Sequence, residues 1–585
     1  MGFSPSSRSR KSSLWSARHL PFSIFLIGFS AYSVFLQFLL SDALARLFLT
    51  RVFFQVAIAA LVIASLRNIV GMRTLGMFGP AIIAIAFLTT GLPLGLALFG
   101  LILGIVVLTR SVLVREKVQE AHRVAILVTI VSVTVSSIAV LGLEYQQHEL
   151  FFTVLFPVLI SAWIGERYVE QVTRVGWENP SKSLAWTIVA IIVSFLAITQ
   201  DSVIDFILVN PLTWPLLIVL NWALGTRIRF RLSDRFRFLG VSRWSLTDVP
   251  IQGNFRNYVL TILARNRDYV AKYNDPSLMA RLDKAEAKAL LLSQGVPVPQ
   301  TFMILREKRD LEHFLEWLQT HDKFALKPSS GYGGEGILLV RGSKQGTLDT
   351  NMGPMKPSHV EAHAAGIIDG EFNGGQSDYA VVEELLVQHE NLRDLVLLVL
   401  ADVRVICLLG HPVMTMMRIP TSASGGKANL HLGALAAGVR ISTGTIIHSV
   451  WRGLPQAYHP DTGQLILGKK LPFWEETLLV AAEAQRLTGL GFAGVDVVID
   501  ANHGPVVMEV NRRPGLEIQN ANASGLLRRL RMVESLPNRD IPTEERVMTV
   551  KRLDSENWGL TSQRQDVPTA QGDFSLDEGQ AVGVS

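Results

Sequence analysis

At 585 residues the chain exceeds a single domain, and its 49% hydrophobic content is unevenly spread, with long apolar runs up to about residue 226 and ordinary soluble sequence after it. A single cysteine, Cys407, excludes a disulfide framework and a cysteine-based metal centre. The net charge of +5 gathers mostly beside the apolar runs, which assigns it to membrane topology and gives no support to a nucleic-acid partner.

Eight segments, near 21–40, 47–66, 74–91, 92–109, 124–143, 150–165, 184–199 and 206–224, approach the ~20 apolar residues that a spanning helix needs. After a short segment at 1–20 they predict a polytopic transmembrane helical domain over 21–226, of about eight helices. The first run follows Arg8, Arg10, Lys11 and Arg18 but lacks a small-residue cleavage site, so it reads as a retained anchor rather than a signal peptide. Lys and Arg are dense before the first helix, around Arg110, Arg115, Lys117 and Arg123, around Arg167, Arg174 and Lys182, and from Arg227 to Arg237. The alternate loops near 91, 144–149 and 200–205 hold none. The positive-inside rule then puts the amino terminus and everything after 226 in the cytoplasm, as in a multi-pass protein of a bacterial inner membrane. No acid falls mid-span, which leaves a proton-coupled pump little support. Glu166 and Arg167 read as a pair or loop contact at the cytoplasmic edge.

A basic linker at 227–247 leads into mixed α/β sequence. Helical spacing of Leu282, Ala285, Ala289 and Leu292 predicts a helix over 281–294. A turn and strand follow to 305, then a helix at 308–320. FALKPSS reads as a strand running into the glycine-rich loop 331–336 and on to the strand ILLVR. The stretch 342–377 reads as loop, 380–386, 396–408 and 412–418 as strands, and 474–488 as a helix. From 541 to 585 the chain is polar with little periodicity and reads as a disordered tail.

The most informative stretch is 491–522, two short apolar strands joined by a turn at Asn502, His503 and Gly504. Glu509 and Asn511 are two apart and so share a sheet face, and hairpin pairing brings Asp496 across from them. Two carboxylates and an amide on one face suit a hard cation such as Mg²⁺, whereas unpaired acids among so many valines would be costly. Lys327 ends a strand directly before the glycine-rich loop, where backbone N–H groups approach phosphate closely. Glu384 and the backbone near Leu386 suit a hinge against a nucleotide base. Arg404, Arg418, Lys427, Asn429, His431 and Arg513 supply groups for carboxylate or phosphoryl oxygens.

The order of these features resembles the ATP-grasp superfamily: a helix opening with DK, KP before a Gly-rich loop, EE-x-L, D-x-R, then D…E-x-N. LDKAEAKALLLSQGVPVP, FALKPSSGYGGEGI, DVRVICLLGHPVMTMMRIPTSASGGKANLHLGA, HPDTGQ and VVMEVNRRPGLEIQNAN carry a narrower resemblance to the alpha-L-glutamate ligase-related, sugar-transfer-associated group over about 248–530, within an ATP-grasp domain expected at 248–540. RTLGMFGPAIIAIAF, LFPVLISAWIGERYVE and GTRIRFRLSDRFRF resemble the seven-helix region usually fused to an inactive transglutaminase-like domain. No such domain is visible here. The implied fold is multi-domain: an α-helical polytopic membrane domain followed by an α+β ATP-grasp domain. The resemblance makes Lys284 and Lys327 the nucleotide-phosphate lysines and places Gly333, Gly334 and Gly336 on the phosphate-covering loop. Glu384 and Leu386 fall on the adenine hinge and Glu390 on the ribose. Asp496, Glu509 and Asn511 fall on the ligands of two Mg²⁺ ions, with Mn²⁺ an alternative. Arg404 and Arg418 match positions that hold phosphoryl or carboxylate groups.

The implied activity is an ATP-dependent carboxylate–amine ligase acting through an acylphosphate, on a carboxylate and an amine that the sequence does not name. A kinase-like phosphotransferase, or an ATP-sensing module that regulates the membrane domain, is the alternative. The lipid bilayer is the expected surrounding, and the resemblance implies association with a transglutaminase-like membrane partner.

Overall fold

The structure, a computed structural model, describes residues 23–35, 48–115, 120–144, 155–537 and 541–559, apart from 176, 229, 239–240, 242–257, 282–283, 331–334, 374–376 and 397–398. The expectations for the segment 1–20, for Gly333 and Gly334, and for the tail beyond 559 therefore fall outside the described residues. The chain divides into two compact units, Met1–Arg235 and Phe236–Ser585, so the boundary falls inside the basic stretch after the last apolar helix.

The first unit is helical: α1 (Ser23–Phe35), α2 (Phe48–Ser65), α3 (Phe78–Thr90), α4 (Leu92–Arg115), α5 (Glu120–Glu144), α6 (Leu155–Val175), α7 (Glu178–Ile198), α8 (Asp201–Val209) and α9 (Thr213–Arg227), and the short α10 (Leu232–Arg237) contains the boundary. Among the described residues three helices are long and apolar enough to cross a membrane, or four if a bent pair is one span. Of the other apolar helices, α1 and α3 are short, and the apolar run at 206–224 breaks at Asn210–Pro211, where the proline cannot continue the helix ladder. α4 lies against α6 at Gly165, where an added Cβ would come 2.9 Å from Val106. Glu166 does not pair with Arg167; it accepts Arg110 at 2.9 Å and lies 3.7 Å from Arg123, while Arg167 sits over the Trp163 ring. An arginine placed beside a carboxylate between helices is how such a chain keeps a charge out of lipid.

The second unit holds two antiparallel sheets. One comprises β1 (Thr301–Leu305), β2 (Phe324–Pro328), β3 (Leu338–Lys344), β4 (Thr347–Thr350), β5 (Gly353–Met355) and β6 (Ala380–Glu383), ordered β1-β6-β2-β3-β4-β5. The other comprises β7 (Asp402–Leu408), β8 (His411–Ile419), β9 (Leu435–Val439), β10 (Ile446–Trp451), β11 (Leu454–Pro455), β12 (Phe492–Asp500) and β13 (Gly504–Asn511), ordered β11-β10-β9-β8-β7-β12-β13. Helices α11 (Pro276–Arg281), α12 (Lys284–Ser293), α13 (Asp310–Trp317), α14 (Pro357–Ile368), α15 (Trp474–Leu487), α16 (Ile518–Ala521), α17 (Leu526–Glu534) and α18 (Thr543–Ser555) belong to the same unit, besides shorter turns.

Every residue of β12 is buried, which explains its nearly unbroken apolar run. α15 packs on β12 and β13, and its buried Ala481, Ala482 and Ala484 let the helix approach closely. Two expectations fail here. The stretch 342–377, read as loop, contains β4, β5 and α14, with Val360, Ala364, Ile367 and Ile368 buried at helical spacing. The stretch from 541, read as a disordered tail, contains α18, which packs on β8 and α15 and buries Val547 and Val550. Arg546 of α18 donates from Nε to the carbonyl of Ile541 at 2.8 Å.

β9 meets the backbone of α16 where Gly438 leaves room: a Cβ there would lie 2.3 Å from the carbonyl oxygen of Ala521 and 2.8 Å from Asn522 Cα. Backbone on both sides cannot yield as a flexible side chain does. Gly438→Ala is therefore expected to lower stability by about 1–3 kcal/mol, read as a drop in the unfolding midpoint of the full chain in detergent; an unchanged midpoint would contradict the contact.

Candidate active site

The β12–β13 hairpin is formed as the sequence indicates, with Asp496 directly opposite Glu509 and Gly494 opposite Asn511. A bulge at Asp496/Val497 inserts Met508 as an extra residue and keeps the two acids in register at the point where the ladder is interrupted. On its other side Asp496 faces Arg404 of β7, and Asp402 of β7 faces Arg418 of β8. Period-2 alternation thus brings charged residues of β8, β7, β12 and β13 to one sheet face.

These groups are bonded to one another. Arg404 donates from Nε to Asp496 Oδ1 and from Nη2 to Oδ2, both at 2.7 Å. Arg418 donates to both oxygens of Asp402, at 2.6 and 2.5 Å, and from Nη2 to Asp496 Oδ2 at 2.8 Å. Asn511 Nδ2 donates to Asp496 Oδ2 at 3.0 Å. Two arginines and two aspartates give a formally neutral, largely buried ladder of bidentate pairs, the geometry a guanidinium makes best. Burial would raise the Asp496 carboxyl, but Arg404 and Arg418 hold it below the usual carboxylate range. Burial raises the Asp402 carboxyl; Arg418 opposes this and Asp496 adds to it. Burial also works against the Arg418 charge, which Asp402 and Asp496 more than restore. Asp402 escaped the sequence reading although it begins the D-x-R pattern.

A second charged group lies on the other sheet. Lys327 of β2 and Lys288 of α12 both pair with Glu383 at the end of β6, which is 5% exposed. Burial would raise the Glu383 carboxyl, yet Lys327 and Lys288 hold it below its ordinary value of 4.5. Burial lowers the Lys288 ammonium in spite of Glu383. Lys288 and Glu383 were not singled out from the sequence. Lys284, which was, is the first residue of α12, one turn before Lys288.

Glu384–His389 carries the chain from β6 to the end of the hairpin. The Glu384 N–H donates to the carbonyl of Gln300 at 2.8 Å, Val387 N–H to Asp500 Oδ1 at 2.6 Å, and His389 N–H to the carbonyl of Ile499 at 3.0 Å. Leu386 packs with Val498 and Val506, with Leu400 and Met508 beside them, and makes an apolar wall between the two sheets. His503 Nε2 lies 3.6 Å from Glu384 Oε1. Glu390 is exposed at the start of the turn Glu390–Leu395. Gly336 has φ +73° and its carbonyl oxygen lies 2.9 Å from His363 Nε2; a Cβ there would meet Phe372 at 2.6 Å. Lys427 and Asn429 are half-buried on the loop after β8, His431 lies in the turn Leu430–Leu432, and Arg513 is exposed just beyond β13.

Residues 264–535 match the family model described as sugar-transfer associated ATP-grasp, and residues 29–242 match that described as seven transmembrane helices usually fused to an inactive transglutaminase. The carboxyl-terminal half is thus an ATP-grasp domain joined to a membrane region. A probable alpha-L-glutamate ligase of Alcanivorax borkumensis is 30% identical over 131 residues, 22% of this chain and 32% of its own. One of Xanthomonas campestris pv. campestris (strain 8004) is 25% identical over 260 residues, 44% of this chain and 67% of its own. The chain spans only 12 to 32% of the length of the first four such relatives. The crystal structure of D-cycloserine synthetase DcsG is 16% identical over 46% of this chain and 72% of its own, with a TM-score of 0.25, too low to bear on the site.

Two outcomes follow from the charge pairing. Asp402→Ala, which strands Arg418 beside a single acid, is expected to cost about 3–5 kcal/mol in chemical denaturation, and adding Arg418→Met to recover part of that loss; a double variant no better than the single would contradict this. Because the folded Glu383 carboxyl sits below 4.5, its stabilisation is complete above that pH and is lost as pH falls through the lower folded value. Glu383→Gln is expected to flatten the acid limb of the stability–pH curve, and an unaltered limb would count against the pairing.

Proposed function

We propose that the protein is a membrane-anchored, ATP-dependent carboxylate–amine ligase whose nucleotide site lies between the two sheets of the ATP-grasp domain. The observation that carries this reading is the register of the hairpin, which sets Asp496, Glu509 and Asn511 together against two arginines. A hard cation fits this donor set. Asp496 Oδ2 already accepts three N–H groups, but Oδ1 accepts one and keeps a lone pair. Asn511 spends its Nδ2 on Asp496, which leaves its amide oxygen as an acceptor. Asp496, Glu509 and Asn511 would hold magnesium, one or two ions, with manganese as a substitute. Bound there, the metal supplies neutralisation of the phosphate charge of ATP.

The remaining work falls to the chain. Leu386 and its apolar neighbours would take the adenine face, with Glu384 and the hinge backbone at its edge and Glu390 toward the ribose. Lys327, with Lys284 or Lys288 on α12, and the 331–336 loop would orient the triphosphate. Arg404 and Arg418, with Arg513 nearby, would hold a substrate carboxylate or the transferred phosphoryl group, while Lys427, Asn429 and His431 serve the substrate side. Attack of the carboxylate oxygen on the terminal phosphorus breaks its bond to ADP and forms an acylphosphate; the amine nitrogen then attacks the acyl carbon, and inorganic phosphate leaves as the amide forms. Positioning and preorganised charge suffice, and no Ser or Cys nucleophile is required. Buried Cys407, whose thiol burial pushes far up, is core.

The membrane region and the run of Arg227 to Arg237 support a site facing the cytoplasm of a bacterial inner membrane, and the glutamate ligase relatives support an amino acid among the substrates. The test is ADP release by the full chain in detergent against a panel of carboxylates and amines. Release that requires both substrates and magnesium, and falls about 100-fold in Lys327→Ala and Glu509→Gln, is the expected result. A stable phosphorylated product formed without amine would make the protein a phosphotransferase instead, and absence of turnover with every pair would favour an ATP sensor.

A further inference from the structure

The segment 459–464, HPDTGQ, takes no part in the chemistry above, yet it grips the loop that carries Lys427, Asn429 and His431. That loop, 420–434, leaves β8 just beyond Arg418 and returns as β9. Its neck closes on itself. Thr421 Oγ1 donates to the carbonyl oxygen of Gly433 at 2.8 Å, and the Gly426 N–H donates to that of Thr421 at 3.1 Å. Trp451 of β10 donates from Nε1 to the same Gly433 oxygen at 2.9 Å. Gly425, Gly426 and Gly433 turn the chain at φ of +61°, +75° and +106°, where a β-carbon would be strained. A compact surface loop whose ends meet is an Ω-loop, a form that often carries function.

The 459–464 turn braces this neck from outside. It is closed by the His459 N–H on the carbonyl of Gln464 at 2.8 Å and the Gly463 N–H on that of His459 at 2.9 Å. His459 is 1% exposed, and its Nδ1 accepts the N–H groups of Asp461 and Thr462, each at 3.2 Å. The ring proton therefore sits on Nε2, which donates to the carbonyl oxygen of Pro420 at 3.0 Å. Asp461 Oδ2 accepts the Ser422 N–H at 2.7 Å, and Oδ1 accepts the Ser422 hydroxyl. Burial would raise the Asp461 carboxyl slightly, but the bonds from Ser422 hold it below the usual carboxylate range. Completion of the sheet does not explain the arrangement. β11 ends at Pro455, and the turn lies beyond it with its imidazole and carboxylate committed to the loop.

We infer that His459 and Asp461 are positioning residues: they fix the 421–433 loop before substrate arrives, and so set the affinity for a non-nucleotide substrate without touching it. The substrate role of the loop rests on the ligase reading; the brace itself does not. A loop that had to order on binding would lose its conformational freedom at that moment and weaken the complex, whereas one already held does not.

The test joins hydrogen exchange to kinetics on the full chain in a neutral detergent. Peptides spanning 420–434 are expected to exchange slowly in the parent, equally with and without magnesium AMP-PNP, and about fivefold faster in Asp461→Ala. Asp461→Asn should restore protection, because its amide oxygen accepts the Ser422 N–H and the hydroxyl can turn to accept from its NH₂. With the carboxylate–amine pair selected by the panel above, Asp461→Ala is expected to raise KM for one of the two about tenfold, with KM for ATP within about twofold of the parent and recovery in Asp461→Asn. Asp461 is exposed, so the variants should fold. Loop exchange unchanged in Asp461→Ala, protection that appears only with nucleotide, or no recovery in Asp461→Asn would overturn the inference. So would an equal rise in KM for ATP, or turnover with both substrate KM values unchanged; each of these leaves the ligase reading intact. No ADP release by the parent with any pair, alongside the expected exchange, would sink the ligase reading and the loop's substrate role with it, but not the brace.

Discussion

A charge buried in an antiparallel sheet must be matched there, and Asp496 imposes that requirement on the whole carboxyl-terminal unit. It lies 3% exposed on a strand buried from end to end, where an unpaired carboxylate would be costly. The fold answers with Arg404 from β7 and Arg418 from β8, and Arg418 in turn requires Asp402. Four side chains on three adjacent strands therefore fix one another, and each strand's register is set by charge as well as by apolar alternation. The outcome is a rigid, formally neutral platform on which Glu509 and Asn511 stand at the margin.

The platform needs a second wall. The segment 384–389 supplies it by tying β6 to the closed end of the hairpin, through Val387 to Asp500 and His389 to Ile499. Glu383, at the start of this tie, balances Lys288 and Lys327 just where a polyanionic ligand would compete for both lysines. Its pairing keeps two ammonium groups close together in the absence of that ligand. On the ligase reading proposed above, these two ammonium groups are the ones a triphosphate would meet.

Local pattern carried much of this. Alternation and a short turn were enough to place Asp496, Glu509 and Asn511 on one face, because a hairpin is a short-range structure. The partners of Asp496 were not legible: Arg404 and Arg418 lie far away in sequence, and nothing in periodicity says which strands will neighbour β12. Lys284 and Lys288 are one helical turn apart and share a face, so spacing could not decide which meets β6. Helix α14 was hidden by its glycine, proline and histidine surroundings, although Val360, Ala364 and Ile367 keep helical spacing. Helix α18 was hidden by polarity; few apolar residues suffice because β8 and α15 supply the rest of its contact.

The proposed activity depends on the hairpin acids gripping a metal–nucleotide complex, and paramagnetic replacement reports on that contact without reference to turnover. With Mn²⁺ in place of Mg²⁺ and AMP-PNP bound to the full chain, the phosphorus resonances of the nucleotide should broaden strongly, and the metal should be released in Glu509→Gln. Equal broadening and equal Mn²⁺ affinity in parent and variant would show that the ion sits elsewhere, and the ladder around Asp496 would then be a structural feature with no nucleotide to serve.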